Sequence, residues 1–204
     1  MKIDLHGQLI VFEGLDFTGK TTQVRLLAGR LHEASFRVTT TREPGGTALG
    51  EGVREVILSN ENTKLLPLSE LLLFITCRAQ LSSEVIEPAL ASGHTVVSSR
   101  FRLSSLAYQG YGRGIDLDLI RRLNEIATAG RQPNITFLID LPAEVALARK
   151  RGEGDRIEQE DLAFYQRVRD GYLELARDDP HVQIIDGTLS IEKIAEHAAR
   201  HLAA

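Results

Sequence analysis

Residues Gly14-Leu15-Asp16-Phe17-Thr18-Gly19-Lys20-Thr21 read G-x-x-x-x-G-K-T, and Thr22 follows. An apolar run, Leu9-Ile10-Val11-Phe12-Glu13, stands directly before this stretch, and a helix-compatible run, residues 22–28, comes directly after it. The motif works only at a strand-to-helix turn. There the glycines let backbone N–H groups of residues 14–22 turn inward around a phosphate, and the helix N-terminus adds its positive dipole end. Lys20 would reach the β- and γ-phosphates, and the Thr21 hydroxyl would ligate Mg²⁺. The stretch predicts a nucleoside triphosphate site formed by Gly14, Leu15, Asp16, Phe17, Thr18, Gly19, Lys20, Thr21 and Thr22.

Working outward, short apolar segments rich in β-branched residues predict strands at 9–13, 36–40, 95–99, 135–140 and 182–185. Helical patterns at 20–34, 46–59, 69–91, 117–129, 143–151, 158–177 and 190–202 alternate with them. Such alternation predicts an α/β fold with a parallel sheet covered on both faces. Ligands of such sheets bind beyond the carboxyl ends of the strands, so each segment that follows a strand is a site candidate.

The chain has 204 residues, enough for one well-buried domain, and no linker or repeat divides residues 1–204. Its net charge of −4 argues against a dedicated nucleic-acid surface. The single Cys77 excludes an intrachain disulfide framework, and its apolar surroundings fit a small buried hydrophobe. No apolar run reaches membrane-spanning length, and residues 1–6 lack the apolar core of a signal peptide. A cytoplasmic location without membrane or nucleic-acid partners is the expectation.

After the second strand comes Thr41-Arg42-Glu43-Pro44-Gly45-Gly46-Thr47. Pro and Gly-Gly end the strand, which predicts that Arg42 projects from a loop and grips a phosphate bidentately; a surface pair with Glu is the alternative. The third strand runs into Arg100, and Ser104, Ser105, Tyr108 and Gln109 then share one helical face. That face suits a base and sugar, or equally solvent. Phe74 and Arg78 lie four residues apart in a helical stretch, a ring and a guanidinium on one face. Such a ring can stack on a base, although Phe in an apolar helix is more often core. Finally, Arg149-Lys150-Arg151-Gly152-Glu153-Gly154-Asp155-Arg156 crowds cations around two glycines. Residues 149–158 read as a lid over a polyphosphate or as a solvated charge run.

Taken together these blocks resemble bacterial thymidylate kinases. Phe12-Glu13-Gly14-Leu15-Asp16, Gly19-Lys20-Thr21-Thr22, Thr41-Arg42-Glu43-Pro44-Gly45-Gly46-Thr47, Phe74 with Arg78-Ala79-Gln80, Ser104 to Gly110 and Asp155-Arg156-Ile157-Glu158 appear in the family's order. The resemblance implies a three-layer P-loop kinase fold with strand order 2-3-1-4-5 and a short basic lid. It implies transfer of the γ-phosphoryl group of MgATP to dTMP, and a homodimer packed through long helices. By the same resemblance Phe74 would stack on thymine, Arg78 would bond its carbonyl, and Ser105 would lie near the ring edge, with Ser104 beside it among the substrate-binding candidates. Arg42 and Arg100 would hold the acceptor phosphate beside Glu43 and Pro44. Tyr108 would sit against the sugar, Gln109 would help close the pocket, and Asp16 would lie near the acceptor phosphate. Asp16, Lys20 and Arg100 are then the catalytic candidates, with Arg149, Arg151 and Arg156 supplying the lid arginine.

Two positions depart from the pattern. The family usually has Gly or a basic residue where this chain has Phe17, and Asp-Arg where it has Ser99-Arg100. The family's Asp supports Mg²⁺. With Ser99 in its place, Thr21 and Asp16 are the metal candidates, and the implied strand order places Asp140 on the wrong side of the first strand to replace it.

Overall fold

A computed structural model describes residues 5–177 and 179–203. Residues 1–4 of the N-terminal segment considered above lie outside that range, as do residues 178 and 204. Five parallel strands form one sheet: β1 (Leu9–Glu13), β2 (Val38–Arg42), β3 (Thr95–Ser99), β4 (Ile135–Asp140) and β5 (Val182–Asp186). Their order is β2-β3-β1-β4-β5, as the resemblance implies. Phe12 pairs with Ser99 on one side and with Phe137 on the other. The helices are α1 (Lys20–Glu33), α2 (Ala48–Leu58), α3 (Pro67–Leu81), α4 (Glu87–Ala91), α5 (Arg102–Ser105), α6 (Leu117–Ala127), α7 (Ala143–Ala148), α8 (Leu162–Arg177) and α9 (Ile191–Ala203). Two π-helical turns extend this set, Ser82–Ile86 between α3 and α4 and Leu106–Gly112 after α5.

The central strand shows why the sheet is buried on both faces. Side chains alternate along a strand. Ile10 and Phe12 accordingly pack with Val24, Leu27 and Leu31 of α1 and Ile194 and Ala198 of α9. Leu9 and Val11 join Leu81, Ile86, Leu90 and Phe101 beneath the other face. A third cluster, around Tyr165, Val168 and Tyr172 of α8 with Leu138, Ala107 and Ile57, completes the core. Cys77 is buried, its thiol pushed up to about 11 chiefly by burial, which fits its reading as a small hydrophobe.

Several predicted boundaries move, each for a local reason. The second strand begins at Val38 rather than residue 36 because Phe36 belongs to the end of α1. Ser35 takes a left-handed φ of 68°, its N–H bonds His32 O, and the Phe36 N–H bonds Leu31 O, the two bonds of a Schellman cap. The same strand runs on through Arg42, which pairs in register with Ser99. Arg42 is therefore the last sheet residue and not part of a free loop. The expected helix over 69–91 is one rod interrupted by a π-helical turn, and the helix over 158–177 begins only at Leu162. Helix α7 stops at Ala148, so the basic segment that follows is irregular.

Candidate active site

Gly14 begins the phosphate loop with φ 137°, and a Cβ there would stand 2.6 Å from Ile139 O, so only glycine fits. Gly19, at φ 88°, caps the N-terminus of α1. Phe17 also has a left-handed φ of 65°, the backbone region that favours glycine, which gives a physical reason for the glycine usual there. The Thr18 hydroxyl donates to Leu15 O at 2.9 Å, and Lys20 Nζ donates to the same carbonyl at 2.5 Å. Burial and the nearby Arg100 lower the Lys20 ammonium to about 7.

Around this loop stands a charge network with Arg100 at its centre. The backbone of Arg100 is left-handed (φ 73°), and its N–H bonds Phe12 O at 2.9 Å, which turns the side chain back over the loop. Nη2 donates to Asp16 Oδ1 at 2.5 Å and to Tyr108 OH at 3.1 Å. Nη1 donates to Gly14 O, Ser104 Oγ and Tyr172 OH. The Tyr108 hydroxyl accepts the Asp16 N–H at 3.0 Å and donates to Asp16 Oδ2 at 2.8 Å. Burial works to raise the Asp16 carboxyl, but Arg100, Lys20 and the Tyr108 hydrogen bond outweigh it and hold the group below its usual range. Burial pushes the Tyr108 and Tyr172 phenols well above theirs, so both remain neutral hydrogen-bonding groups.

Beneath Arg100 lies Glu13, fully buried at the end of β1. Its Oε1 accepts the N–H groups of Phe101 and Ser104, and its Oε2 accepts the hydroxyls of Ser104 and Tyr172. The last residue of the central strand thus fixes the start of the segment that carries Ser104, Ser105, Tyr108 and Gln109. Sequence alone assigns Glu13 no role, although a carboxylate flanked by core residues was the available signal.

Arg78 is only 1% exposed. Its Nε donates to Glu43 Oε2 at 2.8 Å, and Nη2 donates to the same oxygen and to Phe101 O. Nη1 donates to Ser105 Oγ at 2.8 Å and Asn124 Oδ1 at 2.6 Å. Every N–H of the guanidinium is therefore engaged inside the protein. Arg78 stands behind the pocket wall, and Ser105 is the group in front of it. Glu43 Oε1, by contrast, is buried without a hydrogen-bond partner among the described residues.

Two cavities meet here. One is lined by Phe74, Pro44, Leu58, Ser104, Ser105, Tyr108, Gln109 and Ile157, the other by Phe17, Gly19, Lys20, Thr21, Thr22, Arg42 and Ser99. Asp16, Glu43, Arg54, Arg100 and Glu158 line both and form the shared wall. Sequence reasoning misses Arg54. It donates to Pro44 O at 2.9 Å from the α2 face that also carries buried Gly50 and Ile57, so a cation on an otherwise inward face was its signal. Arg42 lines the phosphate side while pairing with Glu51 at 2.8 Å.

The lid candidates separate. Arg156 is bonded to Glu70 and to Ile57 O, away from the phosphate loop. Arg149 donates to Gly187 O at 3.2 Å, beside the turn after β5, and Arg151 is exposed. Asp140 is clasped by Arg169 through both carboxylate oxygens, at 2.7 and 2.9 Å. Ser99 lies across β1 from it, so Asp140 cannot stand in for a carboxylate at position 99. Among the described residues no cluster of three or more His, Cys, Asp and Glu side chains forms a metal cage. Mg²⁺ needs no such cage, since it binds largely through substrate phosphates and water with one or two protein oxygens. Of the two metal candidates, Thr21 and Asp16 line one cavity, and both Asp16 carboxylate oxygens are already engaged, Oδ1 by Arg100 and Oδ2 by Tyr108 and Tyr165.

A phosphate loop at the carboxyl end of β1, opening through a common wall of charges into a pocket with an aromatic ring and hydroxyls, belongs to the P-loop nucleotide kinases. The family model for thymidylate kinase matches residues 12–198. Thymidylate kinase of Kosmotoga olearia is 50% identical over 94% of this chain and 93% of its own length. That of Geobacter sulfurreducens is 44% identical over 95% of each. The crystal structure of thymidylate kinase from Ehrlichia chaffeensis matches with a TM-score of 0.82 at 37% identity, covering 98% of this chain and 100% of that one. The chain belongs to the thymidylate kinase family.

Proposed function

We infer that this enzyme transfers the γ-phosphoryl group of ATP to thymidylate, giving dTDP and ADP. Beyond family membership, the observation that carries the reading is the wall of Asp16, Glu43, Arg54, Arg100 and Glu158 shared by the two cavities. A donor γ-phosphate on the loop and an acceptor phosphate from the neighbouring pocket would meet at that wall.

In this reading Phe74 stacks on thymine, with Ser105 and Gln109 at the ring edge. Arg78 orients Ser105, and it can donate directly to a base carbonyl only by giving up Ser105 or Asn124. Tyr108 sits against the sugar, and Arg42, Arg54 and Arg100 hold the acceptor phosphate. Lys20 takes the donor phosphates, and Arg149 and Arg151 close from the lid. Mg²⁺, when bound, neutralises phosphate charge, and Thr21 and Asp16 are the residues that would hold it. The protein aligns acceptor oxygen, phosphorus and leaving oxygen and offsets charge. No general base is needed, because the acceptor phosphate is already an anion at neutral pH. We further propose a cytoplasmic homodimer with no nucleic-acid or membrane partner. Helices α2 and α3 pack together and leave Leu49, Val56, Leu68 and Leu72 exposed, a surface suited to a second copy. No helix among the described residues is long and apolar enough to cross a membrane.

The test is ADP release from MgATP with dTMP, dUMP, dGMP and dCMP as separate acceptors. Release driven chiefly by dTMP is expected. Absence of release despite demonstrated binding of ATP and dTMP would identify a nucleotide-binding relative without transfer chemistry.

A further inference from the structure

Glu70 lies on α3 four residues before Phe74, its carboxylate 2% exposed. Four N–H donors converge on it. Oε1 accepts from Gln109 Nε2 at 3.0 Å and Arg113 Nε at 3.1 Å. Oε2 accepts from Arg113 Nη2 at 3.1 Å and Arg156 Nη2 at 2.7 Å. The Arg113 fork therefore spans both oxygens. It is itself held by Glu160 at 2.5 Å and lies over the Phe164 ring, 4.7 Å from its centroid. One carboxylate oxygen thus faces the acceptor pocket through Gln109, and the other holds the basic segment through Arg156. Arg156 also donates from Nε to Ile57 O at 2.9 Å, and its main-chain N–H bonds Leu58 O at 3.1 Å. Leu58 and Ile157, on either side of that junction, line the acceptor cavity.

We propose that Glu70 is a positioning residue that couples acceptor-nucleotide binding to closure of residues 149–158, with Arg156 as its lid-side anchor and not the arginine of the transition state. The proposal rests on the acceptor-pocket reading given above. In a buried cluster no solvent stands ready to replace a lost hydrogen bond, so a displacement at one oxygen is felt at the other. A nucleoside that draws Gln109 inward shifts Glu70 and the Arg113 fork, and with them the root of the lid. Coupling of this kind is reciprocal: whatever closes the lid over the donor must tighten thymidylate by the same factor.

The deciding measurement is the calorimetric Kd of thymidylate on the full chain, alone and with Mg²⁺ and a non-hydrolysable ATP analogue. It is made on wild type, Glu70→Gln and Arg156→Gln. In wild type the analogue is expected to tighten thymidylate on the order of tenfold, within the usual span of binding couplings. A glutamine carbonyl cannot accept on both sides, so Glu70→Gln should bring that ratio to about 1 while thymidylate alone binds much as before. Arg156→Gln cuts only the lid-side bonds at a partly solvated residue and should do the same, which decides the matter if Glu70→Gln does not fold. A variant that keeps the wild-type ratio, or a wild type in which the analogue has no effect, overturns the coupling. Loss of thymidylate binding in Glu70→Gln alone would make Glu70 a structural prop of the pocket and also overturn it. A wild type that binds no thymidylate refutes the acceptor-pocket reading itself.

Discussion

In the function proposed above, Arg78 and Arg151 serve the two halves of one reaction path, and they live in opposite surroundings. Arg78 is 1% exposed and donates to Glu43, Ser105, Asn124 and Phe101 O, whereas Arg151 stands in solvent within the basic segment. The acceptor half has its charges wired before any nucleotide arrives, because a base is chosen by shape and hydrogen bonds that must already be in place. On the donor half, a polyphosphate brings its own negative charge. Cations buried permanently to meet it would carry an uncompensated desolvation cost. Lys20 shows that cost directly, since burial beside Arg100 lowers its ammonium to about 7.

The largest expected effect lies where the halves join. Arg100→Met should lower kcat/KM for thymidylate by roughly 10³-fold in steady-state assays, the size of a lost charge-stabilising donor. Little or no loss would remove Arg100 from the shared wall's chemistry. Next comes stability within the acceptor half. Arg78→Met leaves the Glu43 carboxylate and Asn124 without their partner and should cost about 3–5 kcal/mol in urea unfolding. Arg151→Ala should stay within about 0.5 kcal/mol of wild type in the same experiment. Equal stabilities for the two variants would dissolve the contrast.

Kinetics should show the reverse for Arg151. Arg151→Ala is expected to lower kcat by about 10²-fold with the KM for thymidylate unchanged, as for an interaction made only in the transition state. A normal kcat would hand the role to Arg149. A smaller signal comes from protons. With its ammonium lowered to about 7, Lys20 should be mostly neutral at pH 8 in the free enzyme, and a bound triphosphate should restore its charge. MgATP binding at pH 8 should therefore take up close to one proton, and at pH 6, where Lys20 is already charged, almost none. Calorimetry in buffers of different ionisation enthalpy reads this uptake, and equal uptake at both pH values would refute the Lys20 assignment. Smallest of all is Ser99→Asp, expected to raise kcat by at most about fivefold, because at this buried position the desolvation of a carboxylate offsets much of what its charge contributes. A larger gain would mean that Ser99 leaves the phosphate side short of charge.

Much of this architecture is legible in the chain. The strands announce themselves as short runs rich in β-branched residues, from Leu9-Ile10-Val11-Phe12-Glu13 in β1 to Val38-Thr39-Thr40-Thr41-Arg42 in β2, and the phosphate loop is written in consecutive residues. What escapes is long-range. Glu13, Glu70 and Arg54 look like ordinary helix or strand charges until the fold brings Tyr172, Arg156 and Pro44 to them. By sequence Arg156 is one more lid cation, since composition gives no sign of a carboxylate 86 positions away. The shift in β2 has a similar origin: Phe36 reads as a strand residue by type, but it is used to finish α1.

Position 99 has a further consequence. The Glu43 N–H donates to Ser99 O at 3.0 Å, and Ser99 stands in register between Phe12 and Arg42. The sheet therefore holds this position by its main chain, whatever side chain projects from it. A substitution there would change the charge that faces the phosphate-side cavity while leaving in place the main-chain bonds that hold the position. Glu13 and Arg78 are the opposite case, because their side chains themselves make the bonds that hold their neighbours, and neither can be exchanged alone without leaving buried groups unpaired.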